Sequence, residues 1–450
     1  MAEFEIETCR GVDQGSSSTS APASTTTKNT LEVRVDAHTE PKPPKRRIGK
    51  VPLTMRRDEK TKGYFDPKVV SIGPYHHGKE ELQMAERIKP ILAEFFISGS
   101  GRDVDEFRKN VLEIVDEARS YYLEGSTNMY SDEEFAEMML LDGFLVAAFI
   151  ESKTPGYKNP KILFALETQL GQHDRFLLTS DILCLLENQI PFQVLELLMS
   201  LKSKHHKLTE MLDNVFHSIL SRESTRQDKR IDDTKQPIHL LEYLWLWQNK
   251  SNRTRETSTR RIWDKFYSFK SVAELKAKGI YARRGSDFGQ RDFKLKSFFF
   301  FFAVLEIPPI VLNPHYVIHI SNQIAYEWMP NNPTNLPRMA YVNFMKSLIN
   351  TVEDVKELRA RDILFTPCMS DQEVVQIFNS IPTFLMEDFS IYDEVKQKIQ
   401  RHYNNKAKTW FAELIHNYFC SPWTFIAFVA AATLIILSFL QTFFTIFPHK

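Results

Sequence analysis

The sequence lacks several features that identify common classes of protein. Its four cysteines, Cys9, Cys184, Cys368 and Cys420, are far apart and form no CxxC pair, which argues against a disulfide scaffold or a cysteine-based zinc site. Basic and acidic residues both number 57, so we expect no general nucleic-acid binding. Residues 1–10, MAEFEIETCR, contain no apolar core, so we expect no secretory signal peptide.

Complete catalytic motifs are also missing. The chain has no HExxH pair, no GxGxxG or GxxxxGK[ST] loop, and no GxSxG motif around Ser71. We therefore expect a protein that is not an enzyme and that requires no cofactor or metal.

One alternative stays open at the segment SIGPYHHG. A hydrolase would use Ser71 as nucleophile and His76 or His77 as its base. The residue types present also allow a metal site, without a spacing that fixes its geometry. Its candidate ligands are His76, His77, His205, His206, Asp142 and Glu187.

What the sequence has in quantity is helical periodicity, so we expect a mainly α fold with a few short strands. Apolar residues follow helical spacing within 104–122, 208–219 and 341–355. Ser131 with Glu134, and Ser370 with Glu373, have the spacing of capping boxes at helix starts. The helix after Ser131 is apolar on nearly all sides and should lie centrally in the core.

Strand signals are few and weak. Residues 298–312, FFFFFAVLEIPPIVL, predict one or two short extended segments, and Val317 to Ile320 predicts another. Residues 221–262 are charged and poor in apolar pattern outside the run HLLEYLWLW. We expect a long loop there, which would divide the helical globular domain at 48–420 into two subdomains.

The two ends of the chain differ from this domain. Residues 1–47 combine a Ser/Thr-rich stretch with a basic, proline-rich one, and we expect a disordered tail. Residues 421–450 contain Trp423 to Phe447, 25 consecutive positions without a charged residue. As a helix this segment is about 37 Å long, enough to cross a bilayer. We expect a single-pass C-terminal anchor in the plasma membrane or an endomembrane, with the main domain in the cytosol.

Five segments in order resemble the plant family called domain of unknown function 247. They are VSIGPYHHG, MMLLDGFL, LLENQIPF, LINTVEDVKEL and YFCSPW, followed by the terminal apolar helix, and they cover roughly residues 48–447. The resemblance implies a plant source, a mainly helical fold, a C-terminal membrane anchor and no established enzyme activity. The chain departs from the family pattern at Phe144 and in the run NQIAYEW at Asn322 to Trp328.

Two of these segments supply the candidate structural or partner-binding motif. Polar residues placed between apolar ones interrupt a helix before Pro191, where their side chains can bond free amides and carbonyls. The candidates are Pro74, Tyr75, His76, His77, Glu187, Asn188, Gln189 and Pro191. We expect a membrane-tethered interaction or signalling protein, whose partners are the lipid bilayer and other proteins.

Overall fold

The computed structural model describes residues 45–446 except 58, 60, 157–158, 204–206, 221–235, 250–270, 286–292, 299–301, 331, 333–335, 368, 384–390 and 406–421. The expected tail at 1–47 therefore lies almost wholly outside the described residues, and so does most of the loop at 221–262. The described residues are mainly α-helical with a few short strands, which confirms the predicted fold class.

Helices alone form the first half of the described chain. They are α1 (Leu53–Arg56), α2 (Gln83–Glu86), α3 (Ile88–Ile97), α4 (Val104–Glu113), α5 (Val115–Ser120), α6 (Asp132–Lys153), α7 (Pro160–Gln169), α8 (Gln172–Leu183), α9 (Phe192–Lys202), α10 (Leu208–Leu220) and α11 (Leu240–Gln248).

The long helix α6 lies at the centre of this half, as its sequence predicts. A complete capping box between Ser131 and Glu134 fixes its first turn. Buried residues occur on all its faces beyond that turn, and it packs against α3, α4, α9 and α10. Phe144, at a position where the chain departs from the family pattern, packs its ring between Phe96 and Phe107, with centroids 5.5 and 5.4 Å away.

The second half mixes helices with two small sheets. Its elements are α12 (Val272–Ala277), β1 (Ile280–Arg284), β2 (Lys294–Phe298), β3 (Phe302–Ile307), β4 (Ile310–Val311), α13 (Pro314–Glu327), α14 (Pro337–Leu348), α15 (Val352–Ala360), β5 (Leu364–Phe365), α16 (Asp371–Ser380) and α17 (Asp393–Tyr403). β3 lies between β1, to which it is parallel, and β2, to which it is antiparallel. β4 and β5 form a separate parallel pair.

Three local predictions from periodicity are wrong. Val317 to Ile320 lies inside α13 and is not a strand, because Asn313 caps a helix there and Pro314 occupies its first turn. The stripe at 104–122 is divided between α4 and α5 at Ile114. The stripe at 341–355 is likewise two helices, because Thr351 and Asp354 form a capping box that starts α15.

Two hydrophobic clusters lie on opposite sides of α11. Leu240 and Leu244 belong to the cluster of the first half, whereas Leu241 and Trp245 belong to the cluster of the second half. Because residues three or four apart share a helix face, α11 presents one apolar face to each cluster. Leu186, in the segment between α8 and α9, also belongs to the second cluster.

One further helix, α18 (Pro422–Ile446), contains the apolar segment predicted from the sequence. Its window Ile426–Phe443 has a mean hydropathy of 2.2 and buries none of its residues. It is the one helix in the described part of the chain that is long and apolar enough to cross a membrane.

Candidate functional site

Two motifs that are far apart in sequence meet at the segment between α8 and α9. Asn188 is fully buried in this segment, and its Oδ1 accepts a hydrogen bond from the Ile72 amide at 2.7 Å. Its Nδ2 donates to the carbonyls of Val70 and Asp181, both at 3.0 Å. One side chain therefore holds the SIGPYHHG loop against the end of α8. We call this region the motif junction; it comprises residues 66–78 and 181–191 together with Arg56, Lys89 and Asp142.

Gln189 extends the same role to α11. Its Nε2 donates to the carbonyls of Ile182 at 3.2 Å and Leu185 at 2.9 Å, and its Oε1 accepts from the Leu241 amide at 3.2 Å. These bonds satisfy free groups at the end of α8 and the start of α11. Pro191 stands at the N-cap of α9. The polar side chains are thus internal cross-links between helices.

Asp181 binds the loop from the other side. Its Oδ2 accepts hydrogen bonds from three successive amides, those of Lys68, Val69 and Val70, at 3.0, 2.7 and 3.1 Å. Burial raises the pKa of Asp181 to about 6, against the opposing effect of these amides. No sequence motif identified Asp181, although its position seven residues before Asn188 brings both to the end of α8.

The turn at Gly73 and Pro74 requires glycine for two reasons. Gly73 has φ +73°, and a β-carbon there would lie 2.5 Å from the carbonyl oxygen of Gln189. The Gly73 amide donates to Asp142 Oδ2 at 2.8 Å, and the Tyr122 hydroxyl donates to that same Gln189 carbonyl at 2.9 Å. Asp142, in the LDG motif of α6, therefore also belongs to the motif junction.

A buried lysine that the sequence analysis missed compensates the Asp142 carboxylate. Lys89 is 1 % exposed, and its Nζ lies 2.6 Å from Asp142 and 2.6 Å from Glu86. It also donates to the Ser71 carbonyl at 2.9 Å. Burial lowers the pKa of Lys89, but the two carboxylates outweigh this effect and leave the pKa above its ordinary value.

The junction also contains a buried polar pair, Glu187 and His76, with the half-buried Arg56 beside it. Glu187 accepts from the Val51 amide at 2.6 Å and from Arg56 Nη2 at 2.8 Å. His76 Nε2 lies 3.5 Å from the same carboxylate. Burial and the nearby Lys79 lower the pKa of His76 to about 4, so its ring is neutral near pH 7.

The two remaining motif residues lie at the edge. The Tyr75 hydroxyl donates to the Ile48 carbonyl at 2.7 Å and accepts from the Leu123 amide at 3.2 Å. His77 is exposed, and its ring meets Tyr130 edge-on at a centroid distance of 5.8 Å. His77 is therefore the candidate motif residue most accessible to solvent.

Ser71 and His76 are not arranged as the nucleophile and base of a hydrolase, because each faces a different carboxylate. The Ser71 hydroxyl donates to Glu86 at 2.7 Å, and Ser71 is 1 % exposed. His76 faces Glu187 instead. Within the described residues, no group of three histidine, cysteine or acidic side chains is positioned to hold a metal ion. His205 and His206 lie outside the described residues.

The run at Asn322 reaches the same region. Asn322 Oδ1 accepts from the Leu186 amide at 3.0 Å, and its Nδ2 donates to the Tyr64 carbonyl at 2.8 Å. Later in the run, Glu327 accepts from the indole of Trp245 and from the Arg338 amide, at 2.9 and 2.8 Å. In the sequence, the signal that could have indicated these contacts is the presence of the polar residues Asn322 and Glu327 in a largely apolar helix.

A family model described as a plant protein of unknown function, domain of unknown function 247, matches residues 48–437. The chain belongs to this family. A UPF0481 protein of Arabidopsis thaliana is 26% identical over 415 residues, covering 84% of this chain and 82% of the relative. A putative UPF0481 protein of the same plant is 28% identical over 142 residues, covering 31% of this chain and 27% of the relative. No solved structure gives a significant match.

The motifs that carry the resemblance to the domain of unknown function 247 have structural partners in this chain. In LINTVEDVKEL, Asp354 accepts from the Thr351 amide at 2.9 Å and from the Ala273 amide at 2.8 Å. This motif joins α15 to α12, as the junction joins the loop to α6, α8 and α11. In YFCSPW only Pro422 and Trp423 are described, at the start of α18.

Proposed function

We propose that this member of the family is a membrane-tethered recognition protein, in which α18 is the anchor and the helical domain binds other proteins. The observation that supports the tether is the exposure of large apolar side chains on α18. Ile435 and Phe439 are each 71 % exposed, and no residue of the window Ile426–Phe443 is buried. A helix satisfies its own backbone polar groups, which a lipid environment requires.

The polar side chains of α18 are compatible with that environment. The hydroxyls of Thr433, Thr442 and Thr445 donate to the carbonyls four residues earlier, at 2.8, 2.8 and 2.7 Å. Hydroxyls bonded to their own helix need no water. We therefore regard the helix as a membrane span and not as a core helix.

Binding, and not catalysis, is the activity that the motif junction supports better. The side chains of Asn188, Gln189 and Asp181 are occupied by internal hydrogen bonds. Ser71 has a carboxylate partner in a buried position. Of the candidate residues, we propose a direct recognition role for His77 alone, which is exposed. The others hold the surface that presents it.

The test of the tether is deletion of residues 421–450. Because α18 supplies the membrane affinity, the deleted chain should move from the membrane to the soluble fraction. The full chain should resist carbonate extraction. A truncated chain that still resists carbonate extraction would show a second membrane element and overturn the proposal.

We further propose that the domain faces the cytosol, in the plasma membrane or an endomembrane. Two lysines, Lys406 and Lys408, precede the helix and one, Lys450, follows it, a small excess of positive charge on the side of the domain that favours the cytosolic side. Asn249-Lys250-Ser251 and Asn252-Arg253-Thr254 are N-glycosylation patterns that report on this orientation. The Asn249 side-chain amide donates to the Trp245 carbonyl at 2.7 Å, at the end of α11.

The orientation test uses protein from a plant cell and an enzyme that removes N-linked sugars. We expect no change in mobility, and protease protection of sealed vesicles should leave the domain accessible from the cytosolic side. A mobility shift that disappears when Asn249 and Asn252 are both changed to Gln would place the domain on the opposite side.

A further inference from the structure

The three-stranded sheet has one apolar face and one exposed face of different chemistry. Alternation along β3 buries Ala303, Leu305 and Ile307 and leaves the residues between them partly exposed. The pairing register places those residues beside the outward-facing positions of β1 and β2. The exposed face consists of Tyr281, Arg283, Lys294, Lys296, Phe298, Phe302, Val304 and Glu306.

Positive charge predominates on this face. The Arg283 and Lys296 side chains are 57% and 58% exposed, and both contact the Glu306 carboxylate on the same face. Lys296 Nζ lies 2.8 Å from Glu306. Lys294 is exposed beside them. The described positions of this face thus carry three cations and one carboxylate, a set that is complementary to an anionic surface.

An aromatic side chain accompanies these cations. Phe298 is 60 % exposed and pairs in register with Phe302, whose ring lies 5.9 Å from that of Tyr281. Exposed phenylalanine beside lysine and arginine fits the boundary of a bilayer, where rings enter the apolar layer and cations meet lipid phosphates. The sheet face is roughly 17 Å long, the length of five extended residues.

We infer that this face docks on the anionic surface of the membrane that holds α18. Lysine and arginine near an anionic leaflet gain electrostatic attraction, and the ring of Phe298 loses contact with water. The inference rests on the proposed tether, because a chain held at the bilayer needs only weak additional contacts to orient its domain. It adds a second, lipid-dependent contact to that proposal.

The test measures lysine accessibility in the full chain. The protein is incorporated into lipid nanodiscs of phosphatidylcholine alone, or of phosphatidylcholine with about 30% phosphatidylserine. A water-soluble amine-acylating reagent is added, and the rate at each lysine is read by mass spectrometry. We expect acylation of Lys294 and Lys296 to be about threefold slower or more on the anionic discs. Lys109, exposed on α4, should react equally on both.

Matched variants distinguish the sheet face from general apolar exposure. Phe298→Ser should remove most of the protection at Lys294 and Lys296, whereas Phe164→Ser, at a residue 66 % exposed on α7, should not. Lys296→Gln should reduce protection at Lys294, whereas Lys398→Gln should not. Both lysines are about half exposed, so neither change should prevent folding, which circular dichroism checks.

The outcomes separate this inference from the tether. Equal acylation on the two lipid compositions, in chains that incorporate into the discs, overturns the sheet contact and leaves the anchor intact. Failure of the full chain to incorporate overturns both. Protection that appears in detergent and rises with protein concentration overturns the lipid contact in favour of a second copy of the chain at this face.

Discussion

Replacing Asn188 by leucine tests the motif junction directly. Asn188 makes three buried hydrogen bonds, to the Ile72 amide and to the carbonyls of Val70 and Asp181. Leucine has a similar size but no polar atom, so Asn188→Leu leaves those three groups without their partner in a region that water does not reach.

The magnitude follows from these contacts. Leaving three buried groups unpaired costs about 6 kcal/mol, at roughly 2 kcal/mol for each group. Apolar burial of the leucine side chain offsets about 2 kcal/mol of this cost. We therefore expect the free energy of unfolding to fall by about 4 kcal/mol, a large part of the stability of an ordinary domain.

The assay is urea unfolding of the full chain in detergent, followed by tryptophan fluorescence. Asn110→Leu is the control, because Asn110 makes a single, exposed hydrogen bond to its own helix. A difference between the two variants of less than about 1 kcal/mol would refute the structural role. A fully stable Asn188→Leu protein that no longer binds a partner would assign the residue to recognition instead.

Two further predictions concern a glycine and a buried histidine. Gly73→Ala should reduce the free energy of unfolding by about 2 kcal/mol more than Gly78→Ala. Both glycines have positive φ, but only at Gly73 would a β-carbon meet the Gln189 carbonyl. Equal effects of the two changes in urea unfolding would contradict this close approach. Burial lowers the pKa of His239 to about 3, so its contribution to stability is present above pH 6.5 and is lost as the pH falls, by about 2 kcal/mol at pH 5. His239→Gln should show less acid destabilisation between pH 7 and 5 than the unchanged chain in melting experiments at the two pH values.

Helix starts were predictable from the sequence because capping is local. Ser131 with Glu134, and Ser370 with Glu373, form complete capping boxes as their spacing predicts. Periodicity was less informative about where helices end. The apolar stripe at 341–355 continues across Thr351 because α14 and α15 both pack against the same hydrophobic cluster. The apolar spacing therefore gives no sign that one helix ends and another begins there.

The strands were harder to predict, since β-structure depends on neighbours that are distant in sequence. The run at 298–312 predicted extended structure and contributes to β2, β3 and β4. β1 and β5 have no comparable aromatic run, and each is a strand through parallel pairing with β3 or β4. Val317 to Ile320 has the composition of a strand, but the cap at Asn313 makes it helical.

The sequence by itself determined the helical class, the capping boxes at Ser131 and Ser370 and the apolar terminal helix, because each depends on residues that are close together in the chain. It also determined the family membership, because five short motifs occur in order along the chain. Only the tertiary structure decided that the segments at Gly73, Asp142 and Asn188 are one junction, and that Asp181 and Lys89 belong to it. Hydrogen bonds between residues about 70 to 120 positions apart create that junction, and no local pattern specifies which buried polar groups will satisfy each other.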